Sequence, residues 1–326
     1  MRAWQVHELG EPQAVLRLDD VPVPEPGDGE ARVEVEAVAL NFPDVLLCQG
    51  KYQERPPLPF TPGLEVAGRV VAVGAGSPYA VGQRVLAAPP LPRGGLAEQV
   101  VVPVHATFPI PDTLSSVAAA AMFITYQTGW TGLHRRAALA PGETLLVHAG
   151  AGGVGSAAIQ LGLAAGARVL ATAGGPEKVE ICRKLGAEVA IDYLQDDFVA
   201  AVKEATGGRG ADVIYDSVGG DTFDKSRKCV AFEGRIVVVG FAGGRIADAP
   251  TNHALVKNYS IVGLHWGLYR QMEPALVPRI HDELMALHGR GAIAPLIYDE
   301  LPLEQAPDAL ARLGGRATWG KVVLRP

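Results

Sequence analysis

A glycine turn, Gly150-Ala151-Gly152-Gly153-Val154-Gly155, lies between the apolar run Leu145-Leu146-Val147 and the small-residue stretch Ser156-Ala157-Ala158-Ile159-Gln160-Leu161. Strand, glycine turn and helix start, in that order, are the context that gives such a spacing meaning. Glycines let the backbone turn sharply and approach a pyrophosphate, whose charge then rests against the free N–H groups and positive dipole end of the helix. The chemistry predicted is dinucleotide binding, and therefore redox, with Gly152, Gly153 and Val154 at the phosphates.

The end of the next strand decides which dinucleotide. An NAD site places Asp or Glu roughly 20 residues beyond the glycines, bonded to the ribose 2′-hydroxyl. Here the stretch reads Thr172-Ala173-Gly174-Gly175-Pro176, without a carboxylate. Small residues such as Gly174 leave room for a 2′-phosphate, and Lys178 at the start of the next helix can neutralise it. NADPH is the expected cofactor, although Lys178 also reads as a solvated surface lysine. Later strand ends give the loops Ser217-Val218-Gly219-Gly220, Phe241-Ala242-Gly243-Gly244 and Gly263-Leu264-His265-Trp266. Ser217, Phe241, Leu264 and His265 are the candidate cofactor contacts there, though such loops are also ordinary strand-to-helix turns.

The elements that must position these residues follow from the hydrophobic pattern. From Met1 to about Phe123, short alternating runs such as 31–38, 68–74 and 82–86 are separated by turns such as Pro26-Gly27-Asp28-Gly29. Half-buried antiparallel strands in a barrel-type domain are the simplest packing. Near Ser115 the character changes to capped helix formers, and strand and helix then alternate. Strands are expected at 144–149, 168–173, 189–192, 212–216, 235–240 and 260–264, with a helix over 177–185 that Gly186 closes. The expected fold is thus α/β: a doubly wound parallel sheet whose ligand crevice lies at the carboxyl ends of its strands, joined to a β-rich domain. Boundaries are expected at 1–123, 124–266 and 267–326, the last segment returning to the first domain through the strand 320–324.

Composition agrees. The chain has 326 residues, 48% hydrophobic and 20% charged, longer than the roughly 250–300 residues at which single cores stop growing. A net charge of −6 without a dense Lys/Arg cluster disfavours nucleic-acid binding. No secretory signal or membrane span is legible, and three scattered cysteines build neither a disulfide scaffold nor CxxC metal spacing. A cytoplasmic location is expected.

Together, Leu40-Asn41-Phe42-Pro43-Asp44, Gln49-Gly50-Lys51-Tyr52, Pro62-Gly63-Leu64-Glu65-Val66-Ala67-Gly68, the turn from His148 to Gly155 and the stretch from Ala211 to Gly219 make up a set that resembles a known family. That family is the zinc-independent quinone oxidoreductases of the medium-chain dehydrogenase/reductase superfamily, the group that includes zeta-crystallin. The resemblance implies a GroES-like catalytic domain carrying an inserted Rossmann domain, and a homodimer through the edge of the nucleotide-binding sheet. It also implies that Asn41 and Thr125 lie near the nicotinamide, Tyr52 reaches the same region, Lys178 and Tyr193 surround the 2′-phosphate, and Arg316 closes over the cofactor. Asn41 and Tyr52 are the catalytic candidates. By residue type alone each of these has a structural reading, as turn former, internally bonded hydroxyl or surface aromatic. Where some relatives carry a tyrosine this chain has Leu46, so a more apolar acceptor pocket is expected.

Zinc-dependent members of the superfamily use a Cys and a Gly-His-Glu motif for their catalytic metal. Here Asn41-Phe42 and Gly63-Leu64-Glu65 stand in those places, and leucine cannot ligate zinc. The expected reaction is therefore metal-free hydride transfer from NADPH to a quinone or related conjugated carbonyl, an acceptor that needs little activation. Two other readings stand beside it. One is an enoyl-thioester or haloacrylate-type C=C reductase. The other is an NADPH-binding structural or moonlighting RNA-binding protein.

Overall fold

The computed structural model describes the whole chain, Met1–Pro326. Seven strands come first: β1 (Arg2–Val6), β2 (Leu16–Asp20), β3 (Glu30–Ala39), β4 (Val66–Val73), β5 (Arg84–Ala87), β6 (Gln99–Pro103) and β7 (Thr107–Pro109). Six more follow: β8 (Thr144–Val147), β9 (Arg168–Ala173), β10 (Val189–Asp192), β11 (Ala211–Asp216), β12 (Val230–Val238) and β13 (Ser260–Gly263). The chain closes with β14 (Ile297–Pro302) and β15 (Lys321–Arg325). Two compact units result, Met1–Ile124 with Pro295–Pro326, and Thr125–Ala294.

In the first unit, a mixed sheet runs in the order β14-β15-β3-β4-β5-β7, with β6 also on β3. The alternation read at 31–38 falls within β3, where Ala31, Val33, Val35 and Val38 are buried. Those residues join Phe60, Val66 and Leu324 in one core. Pairing of β15 with β3, Val323 opposite Ala39 and Leu324 opposite Val38, carries the C-terminal segment to the residues just before Asn41. Leu40 N donates to Val322 O at 2.9 Å and continues that register.

The second unit holds an all-parallel sheet in the order β10-β9-β8-β11-β12-β13. That order reverses direction beside β8, the arrangement of a doubly wound dinucleotide fold. Central β8 is buried along its length and reads as a continuous apolar run, as a strand covered by helices on both faces must. The helix Pro176–Lys184 ends before Gly186, whose φ of +100° makes it the left-handed stop.

The return to the first unit falls at 294/295, later than the expected 266/267. Residues 267–294 stay with the nucleotide unit because helix Leu276–Gly289 packs there through Ile280 and Leu284. Trp130 Nε1 donates to Glu283 Oε2 at 2.8 Å, Gln127 Nε2 to Val277 O at 3.1 Å, and Ala294 N to Gln160 Oε1 at 2.6 Å. No helix in the chain is long and apolar enough to cross a membrane.

Candidate active site

The glycine turn leaves the carboxyl end of β8 and delivers Gly152 as the cap of helix Gly153–Ala164. Gly152 has no side chain to bond the N–H groups of the first turn, which also lack intrahelical acceptors. Free N–H groups at a helix start are where an anion can be held. Gly155 serves packing: a Cβ there would lie 2.2 Å from Ala149 O and 2.9 Å from Gly150 Cα. At Gly152 the nearest atom to a Cβ is Ala149 O at 3.2 Å, so this face stays open to a ligand. Ala149 is left-handed at φ 51°, a conformation that costs a non-glycine residue roughly 1 kcal/mol. Nothing in the sequence signals that strain.

At the end of β9, Gly175 adopts φ 85° and caps the helix that carries Lys178 as its third residue. A Cβ on Gly174 would lie 2.7 Å from Tyr193 Oη, so the half-exposed tyrosine covers that glycine. Gly174, Lys178 and Tyr193 thus share the ends of the adjacent strands β9 and β10. The nearest strand-end carboxylate, Asp192, is tied to backbone: its Oδ1 accepts from Gly175 N at 2.9 Å and Leu194 N at 3.1 Å.

The remaining loops emerge from the same carboxyl edge of the parallel sheet. Ser217 is buried behind β11, in a loop tightened by Asp216 Oδ1, which accepts from Val218 N at 2.8 Å and Gly219 N at 2.9 Å. Phe241 Cδ1 sits 2.7 Å from where a Cβ on Gly219 would be, which brings those two loops together. Leu264 is half-buried, and exposed His265 caps helix Trp266–Met272.

His148 precedes the turn and is a packed histidine. It is fully buried, with Nδ1 2.9 Å from Thr172 Oγ1, Nε2 2.8 Å from Ser226 Oγ, and its ring edge-on to Phe198. Burial holds its pKa below the ordinary histidine value, against a smaller opposing effect of Asp216. Both ring nitrogens are engaged by neighbouring hydroxyls.

Asn41, Tyr52 and Arg316 belong to the first unit, and Thr125 and the other candidates to the second. Asn41 is the cap of the short helix Phe42–Cys48, and Asp44 Oδ2 accepts from its backbone N–H at 2.8 Å. Its side chain joins a buried cluster with Glu65 and Lys321, whose Nζ lies 2.8 Å from Glu65 Oε1. Glu65 Oε2 accepts from Ile124 N at 2.8 Å, and Asp44 Oδ1 from Gly63 N at 2.9 Å. Burial drives the Asp44 carboxyl up to about 6, against the opposing pull of those backbone donors and Lys321. Tyr52 is half-buried against the first-unit core. Thr125 is buried within helix Phe123–Trp130, and Arg316 is exposed at φ 60° before β15. Sequence reasoning reached Asn41 but missed Lys321 as its partner, since 280 residues separate the two.

This cluster does not fit a catalytic zinc. Glu65 already accepts from Lys321, Asn41 and Ile124, and the lysine cation meets its carboxylate directly. The Cys48 thiol is buried and pushed up to about 12 by desolvation, far from the thiolate a metal needs. No group of three His, Cys, Asp or Glu is placed to hold a metal ion.

A GroES-like β unit together with a doubly wound sheet carrying this glycine turn defines a medium-chain dehydrogenase/reductase. Residues 27–112 match the alcohol dehydrogenase GroES-like domain, and 153–282 match the zinc-binding dehydrogenase family. The chain is 40% identical to the quinone oxidoreductase-like protein 2 homolog of Nematostella vectensis, over 99% of this chain and 88% of that protein. Among solved structures it resembles the quinone oxidoreductase of Thermus thermophilus, at 37% identity with a TM-score of 0.87. It also resembles that of Escherichia coli complexed with NADPH, at 31% and 0.91; both alignments cover 100% of each chain. The protein belongs to the quinone oxidoreductase family of that superfamily.

Proposed function

We propose that the protein is an NADPH-dependent reductase that passes a hydride to a quinone or a related conjugated carbonyl. The observation that carries this reading is the arrangement along β8 to β10: an uncapped helix terminus after the glycine turn, and Gly174, Lys178 and Tyr193 where an NAD site would hold a carboxylate. Bound NADPH supplies the hydride from nicotinamide C4. The chain's own work is to seat the pyrophosphate at Gly152, Gly153 and Val154 and to neutralise the 2′-phosphate with Lys178. Ser217, Phe241, Leu264, His265, Thr125 and Arg316 are assigned to the rest of the dinucleotide, and Asn41 and Tyr52 to its reacting end. The acceptor takes up one hydride and one proton, the proton coming from solvent water, so a quinone leaves as its hydroquinone.

The same reading assigns a homodimer. Strand β13 is the edge of its sheet, and helix Thr251–Lys257 beside it has no buried residue, with Leu255 75% and Val256 74% exposed. An unpaired edge flanked by apolar side chains is a liability that a second copy removes. Oxidation of NADPH against parallel panels of quinones, enones and enoyl thioesters, with a chelator present, tests the reaction. Turnover confined to thioesters would replace the quinone reading with C=C reduction.

A further inference from the structure

Folding of the second unit gathers four basic residues that lie far apart in the chain. Lys203, Arg209, Lys228 and Lys257 line one cleft of about 280 Å³, together with the turn before β11 and the first residues of β12. Those two segments are pressed together: a Cβ on Gly210 would lie 2.5 Å from Cys229 O, which accepts from Ala211 N at 2.9 Å. Ala211 and Val230 pair at the amino ends of parallel strands. The cleft is therefore at the edge of the sheet opposite to the carboxyl ends, from which the glycine turn and the Ser217 loop emerge.

Little negative charge answers these cations. Of the four, only Arg209 is ion-paired, its Nη1 3.6 Å from Asp212 Oδ1, and the arginine is exposed, where such a pair contributes little. Asp197, whose charge reaches Cys229 in the cleft, is spent on capping: its Oδ1 accepts from Val199 N at 3.0 Å. Lys257 Nζ donates to two backbone carbonyls, Arg227 O at 3.0 Å and Val230 O at 3.4 Å, so one ammonium hydrogen is left over. Burial and then the charge of Lys203 hold the Lys257 pKa below the ordinary lysine value. Like charges gathered without a counterion repel one another until an anion shares them. A single carboxylate would answer one of three ammoniums, whereas a diphosphate can meet all of them. Phe232 lines the same cleft and is 70% exposed, so a flat ring can lie against it.

We propose that this cleft binds a small ligand of the nucleoside diphosphate class, with its phosphates on Lys203, Lys228 and Lys257 and its base against Phe232, at a site separate from the cofactor edge. Calorimetric titration of pyrophosphate and of uridine diphosphate, each with and without saturating NADPH, tests this. Both should bind, uridine diphosphate the more tightly, and NADPH should displace neither. Lys203 and Lys228 are exposed, so the double variant Lys203→Gln/Lys228→Gln keeps the fold. It should weaken both ligands about tenfold through loss of charge-assisted contacts. Phe232→Ser should remove only the advantage of uridine diphosphate over pyrophosphate. No saturable binding at millimolar concentration, displacement by NADPH, or affinities that ignore the lysine double variant would overturn the site. Equal affinities of the two ligands for the unaltered protein would overturn the nucleoside part of the assignment.

Discussion

Tyr193 lies over Gly174, so close that a methyl group on the glycine would come within 2.7 Å of the phenolic oxygen. This contact joins the ends of β9 and β10, and Lys178 projects from the helix that starts beside it. The end of β9 carries no carboxylate of its own, and Lys178 follows Glu177 in the first turn of that helix. We take Lys178 as the cation that meets a 2′-phosphate.

Replacing Lys178 by alanine should therefore raise the Kd for NADPH about tenfold, the loss of one charge-assisted contact of about 1.4 kcal/mol. The Kd for NADH should change little. Titrations of both nucleotides check this, and equal losses would take Lys178 out of the phosphate site.

The two ends of the glycine turn should respond differently to one methyl group. At Gly155 the added Cβ meets backbone, Ala149 O at 2.2 Å, and the turn has to move. Gly155→Ala is expected to lower stability by about 1–3 kcal/mol, as overpacking does. Gly152→Ala meets its nearest atom at 3.2 Å and should fold normally but bind NADPH more weakly, because the methyl would stand at the proposed phosphate seat. Urea unfolding and nucleotide titration on both variants separate the two effects.

Much of this architecture was legible because local pattern and fold agreed. Strands β9 and β10 fall on the expected residues, and the run 144–149 overshoots β8 only because Ala149 bends into the left-handed region. The boundary at 266/267 missed because helix Leu276–Gly289 is amphipathic in a way that fits either unit. Only tertiary partners, Trp130 on Glu283 and Gln127 on Val277, fix where it packs. The cluster around Asn41 was illegible for the same reason. Lys321 reads as an ordinary lysine at the start of a strand until pairing of β15 with β3 carries it to Glu65.

The Asp44 carboxyl gives that cluster a pH signature. Its folded pKa of about 6 stands above the ordinary value of 3.8, with burial as the first cause. The folded state therefore holds the proton more tightly than the unfolded chain. The stabilisation is complete below the unfolded pKa and is lost as pH rises through the folded one. Relative to Asp44→Asn, which does not titrate, the unaltered protein should lose on the order of 2–3 kcal/mol between about pH 4 and about pH 7. Denaturant unfolding of the pair across that window measures it, and a constant difference would contradict the shift.

Val256→Glu places a charge on the exposed helix beside edge strand β13. If two copies meet there, analytical ultracentrifugation should show the dimer of the unaltered protein shifted to monomer, with nucleotide affinity retained. A sedimentation profile that does not respond would move the interface elsewhere.

The most direct test of the central claim is NADPH oxidation by the purified protein, followed with para- and ortho-quinones, enones and enoyl thioesters as separate acceptors and repeated with a chelator. The account predicts turnover with quinones or enones, faster with NADPH than with NADH and unaffected by chelation. NADPH binding without oxidation by any quinone or enone, or turnover that a chelator abolishes, would contradict it.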